Sequence, residues 1–123
     1  MDWPATLTPA SLHVTPERVA AYAEVTQDFN PLHLDADFAA STPFGAPIAH
    51  GTMNLALAWE AAAATFGARA RPVGAEVRFS RPAPVGCTLT ATGTHLGEGR
   101  YAVEVRTEAG DVAVSVELRM APA

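Results

Sequence analysis

Thr52-Met53-Asn54-Leu55-Ala56-Leu57-Ala58-Trp59-Glu60-Ala61-Ala62-Ala63-Ala64-Thr65-Phe66 is the stretch on which the fold turns. Its apolar residues cover nearly every face of a helix, the pattern of a helix buried all round. Gly67 comes next, at the position that suits a C-terminal stop. Just ahead stands His50-Gly51, which places a glycine at the helix N-terminus, where backbone N–H groups lack intrahelical partners. A helix of this kind needs a sheet or other helices to wrap it.

Downstream the apolar period changes to two. Val73, Ala75, Val77 and Phe79 alternate with Gly74, Glu76 and Arg78, which predicts a half-buried strand. Pro82-Ala83-Pro84-Val85-Gly86 interrupts it. Leu89, Ala91 and Gly93 then alternate with Thr88, Thr90, Thr92 and Thr94. Gly97-Glu98-Gly99 reads as a hairpin turn into Tyr101-Val103-Val105, and Ala109-Gly110-Asp111 as another into Val112-Val114-Val116-Leu118. No helix comes after Gly97-Glu98-Gly99, so it is not a nucleotide loop.

Upstream, Pro4 and Pro9 mark an irregular arm that leads into a short strand at Leu12-His13-Val14. Thr15-Pro16-Glu17 has the chemistry of a helix start: a hydroxyl to cap free N–H groups, a proline at the first helical position and an acid near the positive dipole end. Val19, Tyr22, Ala23 and Thr26 continue at helical spacing, and Asn30-Pro31 is expected to end that helix. Asp35 to Ala40 predicts a short helix, and turn residues run from Ser41 to Pro47. The whole is an α+β domain, helices first and an antiparallel meander after, and it occupies residues 1–123 as one unit.

Composition narrows the function. The net charge of −5 shows no basic footprint for nucleic acid. All eight basic residues are arginines, and Arg69, Arg71, Arg78 and Arg81 fall close together, either as a local positive patch for a phosphate-bearing ligand or as a solvated face. Cys87 is the only cysteine, which excludes an intrachain disulfide and favours a reducing compartment. Met1-Asp2-Trp3-Pro4 has neither the basic start nor the apolar core of a signal peptide, and the longest apolar run falls short of a membrane span. The expectation is a cytoplasmic protein that binds neither membrane nor nucleic acid.

The chemistry concentrates in Asp28-Phe29-Asn30-Pro31-Leu32-His33 and in His50-Gly51-Thr52. Asp28 and His33 supply a carboxylate and an imidazole on a Pro-containing loop, an acid/base pair. The Gly51 N–H supplies a donor for a developing oxyanion, since glycine permits close approach and the helix dipole favours negative charge. These are the parts needed to add or remove water next to a carbonyl. Asn30 and Pro31 shape the loop. His50 either contacts ligand or positions the turn. His33-Leu34-Asp35 has no second ligand cluster, so no metal is expected.

The same two segments, read as Asp-Phe-Asn-Pro-Leu-His and then Ile48-Ala49-His50-Gly51, resemble the hydratase motif of the MaoC-like, (R)-specific enoyl-CoA hydratase family. The resemblance implies a hot-dog fold, a curved antiparallel sheet around a long central helix. It implies acyl-CoA or acyl-carrier-protein thioesters as substrates, no cofactor beyond the thioester carrier itself, and a homodimer. It assigns Asp28 and His33 as the catalytic dyad and Gly51 as the oxyanion donor; around them, Asn30, Pro31, His50, Thr52, Trp59, Arg78 and Arg81 are the residues expected to line or shape the substrate site. One departure stands out: some members carry a serine two turns into the central helix, where this chain has Ala58, Trp59 and Glu60. Trp59 there either narrows the acyl pocket or fills the core. Two other readings stay open: a hot-dog thioesterase that uses Glu60 as its carboxylate, and a non-catalytic acyl-CoA-binding subunit of a heteromeric dehydratase.

Overall fold

A computed structural model describes residues 1–123. Five antiparallel strands form one curved sheet: β1 (Ala10–His13), β2 (Ala70–Phe79), β3 (Thr88–Gly97), β4 (Arg100–Thr107) and β5 (Val112–Pro122), in the spatial order β1-β3-β4-β5-β2. The four helices are α1 (Pro16–Thr26), α2 (Pro31–Leu34), α3 (Ala36–Ala40) and α4 (Gly51–Phe66). Helix α4 lies in the hollow of the sheet and touches all five strands. This is the hot-dog arrangement. No helix is long and apolar enough to cross a membrane.

The period-two pattern of the C-terminal half sets the concave face. Ala91, Val105 and Val114 stand side by side across β3, β4 and β5, as do Gly93, Val103 and Val116. All six line up toward α4, and five of them are among the buried apolar residues, with Leu57, Ala58, Ala61 and Phe66 opposite. Tyr101 is fully buried, and its hydroxyl donates to Pro4 O at 2.6 Å, which ties the N-terminal arm to the sheet. Both expected hairpin turns are present, with Glu98 (φ 50°) and Gly110 (φ 91°) in the left-handed region.

Four expectations need correction. The strands do not form a simple meander: only β3-β4-β5 do, while β2 crosses over to pair with β5. Strand β2 is not half-buried. Val73, Val77 and Phe79 are 51%, 37% and 55% exposed, because β2 is an edge strand that extends past the helix it should cover. Helix α4 is not buried all round either, since Thr52, Ala56, Glu60 and Ala63 form an exposed stripe. Alanine is small enough to sit on either side of a helix, so a run rich in it does not mark its own outer face. Finally, Asn30-Pro31 does not end α1. That helix stops at Thr26 with Gln27 in the left-handed conformation, and Asn30-Pro31 opens α2, where Asn30 Oδ1 accepts from the Leu32 N–H at 3.0 Å.

Candidate active site

Three chain segments meet at the N-terminus of α4. The left-handed Gln27 turns the chain out of α1, and the Asp28 N–H closes on Ala23 O at 3.0 Å. This fixes the Asp28 backbone while leaving its side chain half-exposed. Asn30 and Pro31 start the single turn of α2 and so aim His33 at the same place. The turn ending in His50 brings in the third segment, held by the Ala49 N–H bond to Ala83 O at 2.8 Å.

The hydrogen bonds define the imidazoles. His33 Nδ1 lies 2.7 Å from Ile48 O, which can only accept, so Nδ1 carries the proton in the neutral ring and Nε2 keeps a lone pair. His50 Nε2 lies 3.0 Å from Asp28 O and by the same logic is the protonated nitrogen there. The two rings stack at 3.9 Å between centroids. Tyr22 leans on His50 and donates its hydroxyl to Thr52 Oγ1 at 2.6 Å.

Asp28 Oδ2 stands 4.0 Å from His33 Nε2 and 3.9 Å from His50 Nε2. The first separation is too wide for a hydrogen bond and joins two acceptors. An oxygen placed about 2.8 Å from each fits above that base. A water there gives one O–H to the carboxylate and the other to the imidazole, and its lone pairs face outward. Asp28, His33 and His50 also place ligand atoms within 4.8 Å of one another. With both histidines donating to backbone carbonyls, however, His33 Nε2 and the carboxylate are what face a cation there, and the second free imidazole nitrogen, His50 Nδ1, is buried.

The Gly51 N–H heads α4. The next carbonyl bonds of this helix run from Met53 and Asn54 to His50 O, so the N–H groups of Gly51 and Thr52 remain free. Gly51 has an ordinary helical φ, and its lack of a side chain matters for space: a Cβ would stand 3.2 Å from Phe79 Cδ1. A cavity of about 310 Å³ opens beside it. His33, Gly51, Asn54 and Arg81 contribute its polar wall, and Phe44, Ile48, Phe79 and Ala113 much of its apolar one.

Among the residues singled out from the sequence, Asp28, Asn30, Pro31, His33, His50, Gly51 and Thr52 converge here, with Arg81 at the cavity. Arg78 does not. It lies on the outer face of the sheet beside Glu76, Glu104 and Glu117, because neighbouring residues of a strand point to opposite faces. Trp59 is also elsewhere, lining a separate space of about 210 Å³ with Ala62, Gly67, Ala70 and Met120. Arg69 is taken up by the C-terminal carbonyls of α4, with Nη2 2.7 Å from Thr65 O. Sequence reasoning missed Phe79, which no local pattern could place against Gly51. It also missed Asn54, whose signal was present: one carboxamide inside an otherwise apolar helix.

Comparison with known proteins identifies the family and supports the fold. The MaoC like domain model matches residues 5–117, so the chain belongs to the MaoC-like domain family. A curated relative, 3-hydroxyacyl-thioester dehydratase Z of Mycobacterium tuberculosis, is 35% identical over 89 residues, covering 68% of this chain and 59% of the relative. The matched segment thus spans somewhat under two-thirds of that protein. Among solved structures, the (R)-hydratase of A. caviae involved in PHA biosynthesis superposes with a TM-score of 0.85 at 31% identity, covering 98% of this chain and 96% of that one. The unliganded R-hydratase of Pseudomonas aeruginosa gives a TM-score of 0.88 at 29% identity, covering 98% and 81%.

Proposed function

We propose that this chain is a hydro-lyase, an (R)-specific enoyl-CoA hydratase or 3-hydroxyacyl-thioester dehydratase. The observation that carries the reading is the water-sized gap between Asp28 Oδ2 and His33 Nε2, 4.0 Å across, beside the free N–H of Gly51. The names of the relatives point the same way.

In hydration, the bridging water loses one proton to the dyad as its oxygen bonds to C3 of the enoyl thioester. The C2–C3 π electrons move toward the thioester, and the oxyanion of the enolate is held by the Gly51 N–H and the positive end of α4. The dyad then returns a proton to C2. Dehydration runs the same steps backward. No cofactor enters beyond the carrier thioester. Asn30 and Pro31 hold the loop, His50 braces the Asp28 carbonyl and the His33 ring, Thr52 anchors Tyr22, and Arg81 stands ready for a phosphate of the carrier. Trp59 and Arg78 have no part in the substrate site of a single chain.

The thioesterase reading fares worse for a geometric reason. At about 100° per residue, Glu60 falls on the side of α4 opposite Gly51, and it lies by Arg18 and Tyr22 in a different groove. Incubation with crotonyl-CoA separates the readings. Loss of the enoyl absorbance without free thiol, giving the (R)-3-hydroxy product, is expected. Release of free thiol would indicate a thioesterase, and inertness toward every enoyl-CoA would favour a binding subunit.

The working unit we propose is a homodimer in the cytoplasm. Strand β2 offers a ten-residue free edge, and Val73, Val77 and Phe79 are exposed along it. Such an edge is a template for pairing unless covered, and a second copy covers it symmetrically.

A further inference from the structure

Asn54 is 3% exposed, and its Oδ1 is closed off from solvent with no hydrogen-bond partner. Buried polar groups are nearly always paired, so an orphan of this kind asks for a partner. It sits one turn into α4 from Gly51, about 4.5 Å along the axis, and it lines the same cavity as His33 and Gly51. The cavity is lined by the apolar Ile48, Ala49, Phe79 and Ala113 and by the polar His33, Ser80 and Arg81, none of which bonds the Asn54 oxygen. With the thioester oxygen on the Gly51 N–H and C3 against His33, Asn54 lies one helical turn along the same cavity wall, a distance that the acyl atoms beyond C3 can span.

Building on the hydratase reading, we propose that Asn54 determines acyl specificity. Its carboxamide, turning toward the cavity about the soft χ2 torsion, hydrogen-bonds a hydroxyl or similar donor-bearing group carried on C4 or C5 of a short acyl chain, and so favours it over a plain alkyl chain of the same length. The carboxamide is suited to this because it offers both an acceptor and donors. A bound hydroxyl gives the carboxamide the partner it lacks, whereas a methyl in the same place gives it none. That difference corresponds to about tenfold to a hundredfold in kcat/KM.

The test uses pairs of substrates in which a terminal methyl is replaced by hydroxyl: pent-2-enoyl-CoA against 4-hydroxybut-2-enoyl-CoA, and hex-2-enoyl-CoA against 5-hydroxypent-2-enoyl-CoA, with crotonyl-CoA as control. The full chain should favour the hydroxylated member of at least one pair by about tenfold or more. Asn54→Leu, close in shape, should reverse that preference, mainly through KM. It should also melt no lower than the parent, since an apolar isostere relieves the orphan oxygen. Asn54→Ala serves as a second variant should leucine pack badly. Equal rates within each pair, or a preference that both variants leave unchanged, would overturn the proposal. Failure to hydrate any of the five substrates would instead overturn the hydratase reading on which it rests.

Discussion

Asp28→Asn is the most informative single change, because the structure separates its chemical cost from its structural one. The Asp28 side chain is half-exposed, and its only side-chain hydrogen bond accepts the Asn30 N–H at a long 3.3 Å. The bond that matters to the architecture runs from His50 Nε2 to the backbone carbonyl of Asp28, which the substitution leaves in place. A surface change of this kind is worth about 0.5 kcal/mol or less. In a domain of this size that shifts Tm by no more than about 2–4 °C. The loss of the basic carboxylate is another matter. The amide cannot take a proton from the bridging water, and turnover of crotonyl-CoA should fall about 10²–10⁴-fold. His33→Ala should fall by a similar factor with a larger loss of stability, since that ring is 12% exposed and its Nδ1–H bond to Ile48 O is removed. If the two act on one water, the double variant should lose little more than the worse single one. Turnover and thermal melting of all three variants, measured together, decide it. An Asp28→Asn protein that melts normally and keeps its rate within about threefold would refute the water-bridging dyad, as would multiplicative losses in the double variant.

Gly51→Val should cost about 10²–10³ in turnover while the fold survives, because the new Cβ meets only the Phe79 ring, a half-exposed side chain that can swing aside; a folded variant with normal turnover would remove the oxyanion role. Val77→Glu places a charge on the exposed apolar row of β2 and should shift sedimentation from dimer to monomer, whereas an unchanged species would direct attention to another surface. Glu108 is held below the ordinary carboxylate range by the Thr88 N–H, which bonds its carboxylate, and further by its own backbone N–H. A depressed pKa adds stability above the unfolded value and loses it as pH falls through the folded one. Melting curves of the parent and of Glu108→Gln should therefore differ at neutral pH and converge on acidification, and a difference that persisted in strong acid would contradict this origin.

How much of this could be read from residues in order depends on the range of the forces involved. Local chemistry was legible. Thr15 and Pro16 start a helix through contacts made within a single turn, and Thr15 Oγ1 does accept from the Arg18 N–H at 3.1 Å. The alternation in Leu89, Ala91 and Gly93, and in Tyr101, Val103 and Val105, named the buried face of two strands correctly, because successive residues of a strand point to opposite sides whatever the sheet does next. The candidate residues Asp28, His33, His50 and Gly51 could be picked out because their types are chemically distinctive and their spacing matches a family motif.

The remainder needed the chain folded. That His33 and His50 would stack, that one would give its proton to Ile48 O and the other to Asp28 O, results from three segments meeting at one helix end, which no window along the sequence contains. The pairing of β2 with β5 rather than β3 is likewise a long-range choice. It turned Val77 and Phe79, which the pattern read as core, into an exposed edge and set Phe79 against Gly51. Arg78 and Arg81 looked equivalent in the sequence, yet the strand pleat and its end sent one to the outer face and the other to the cavity. Periodicity reports which residues share a face, and only the packing of one element on another decides whether that face is covered.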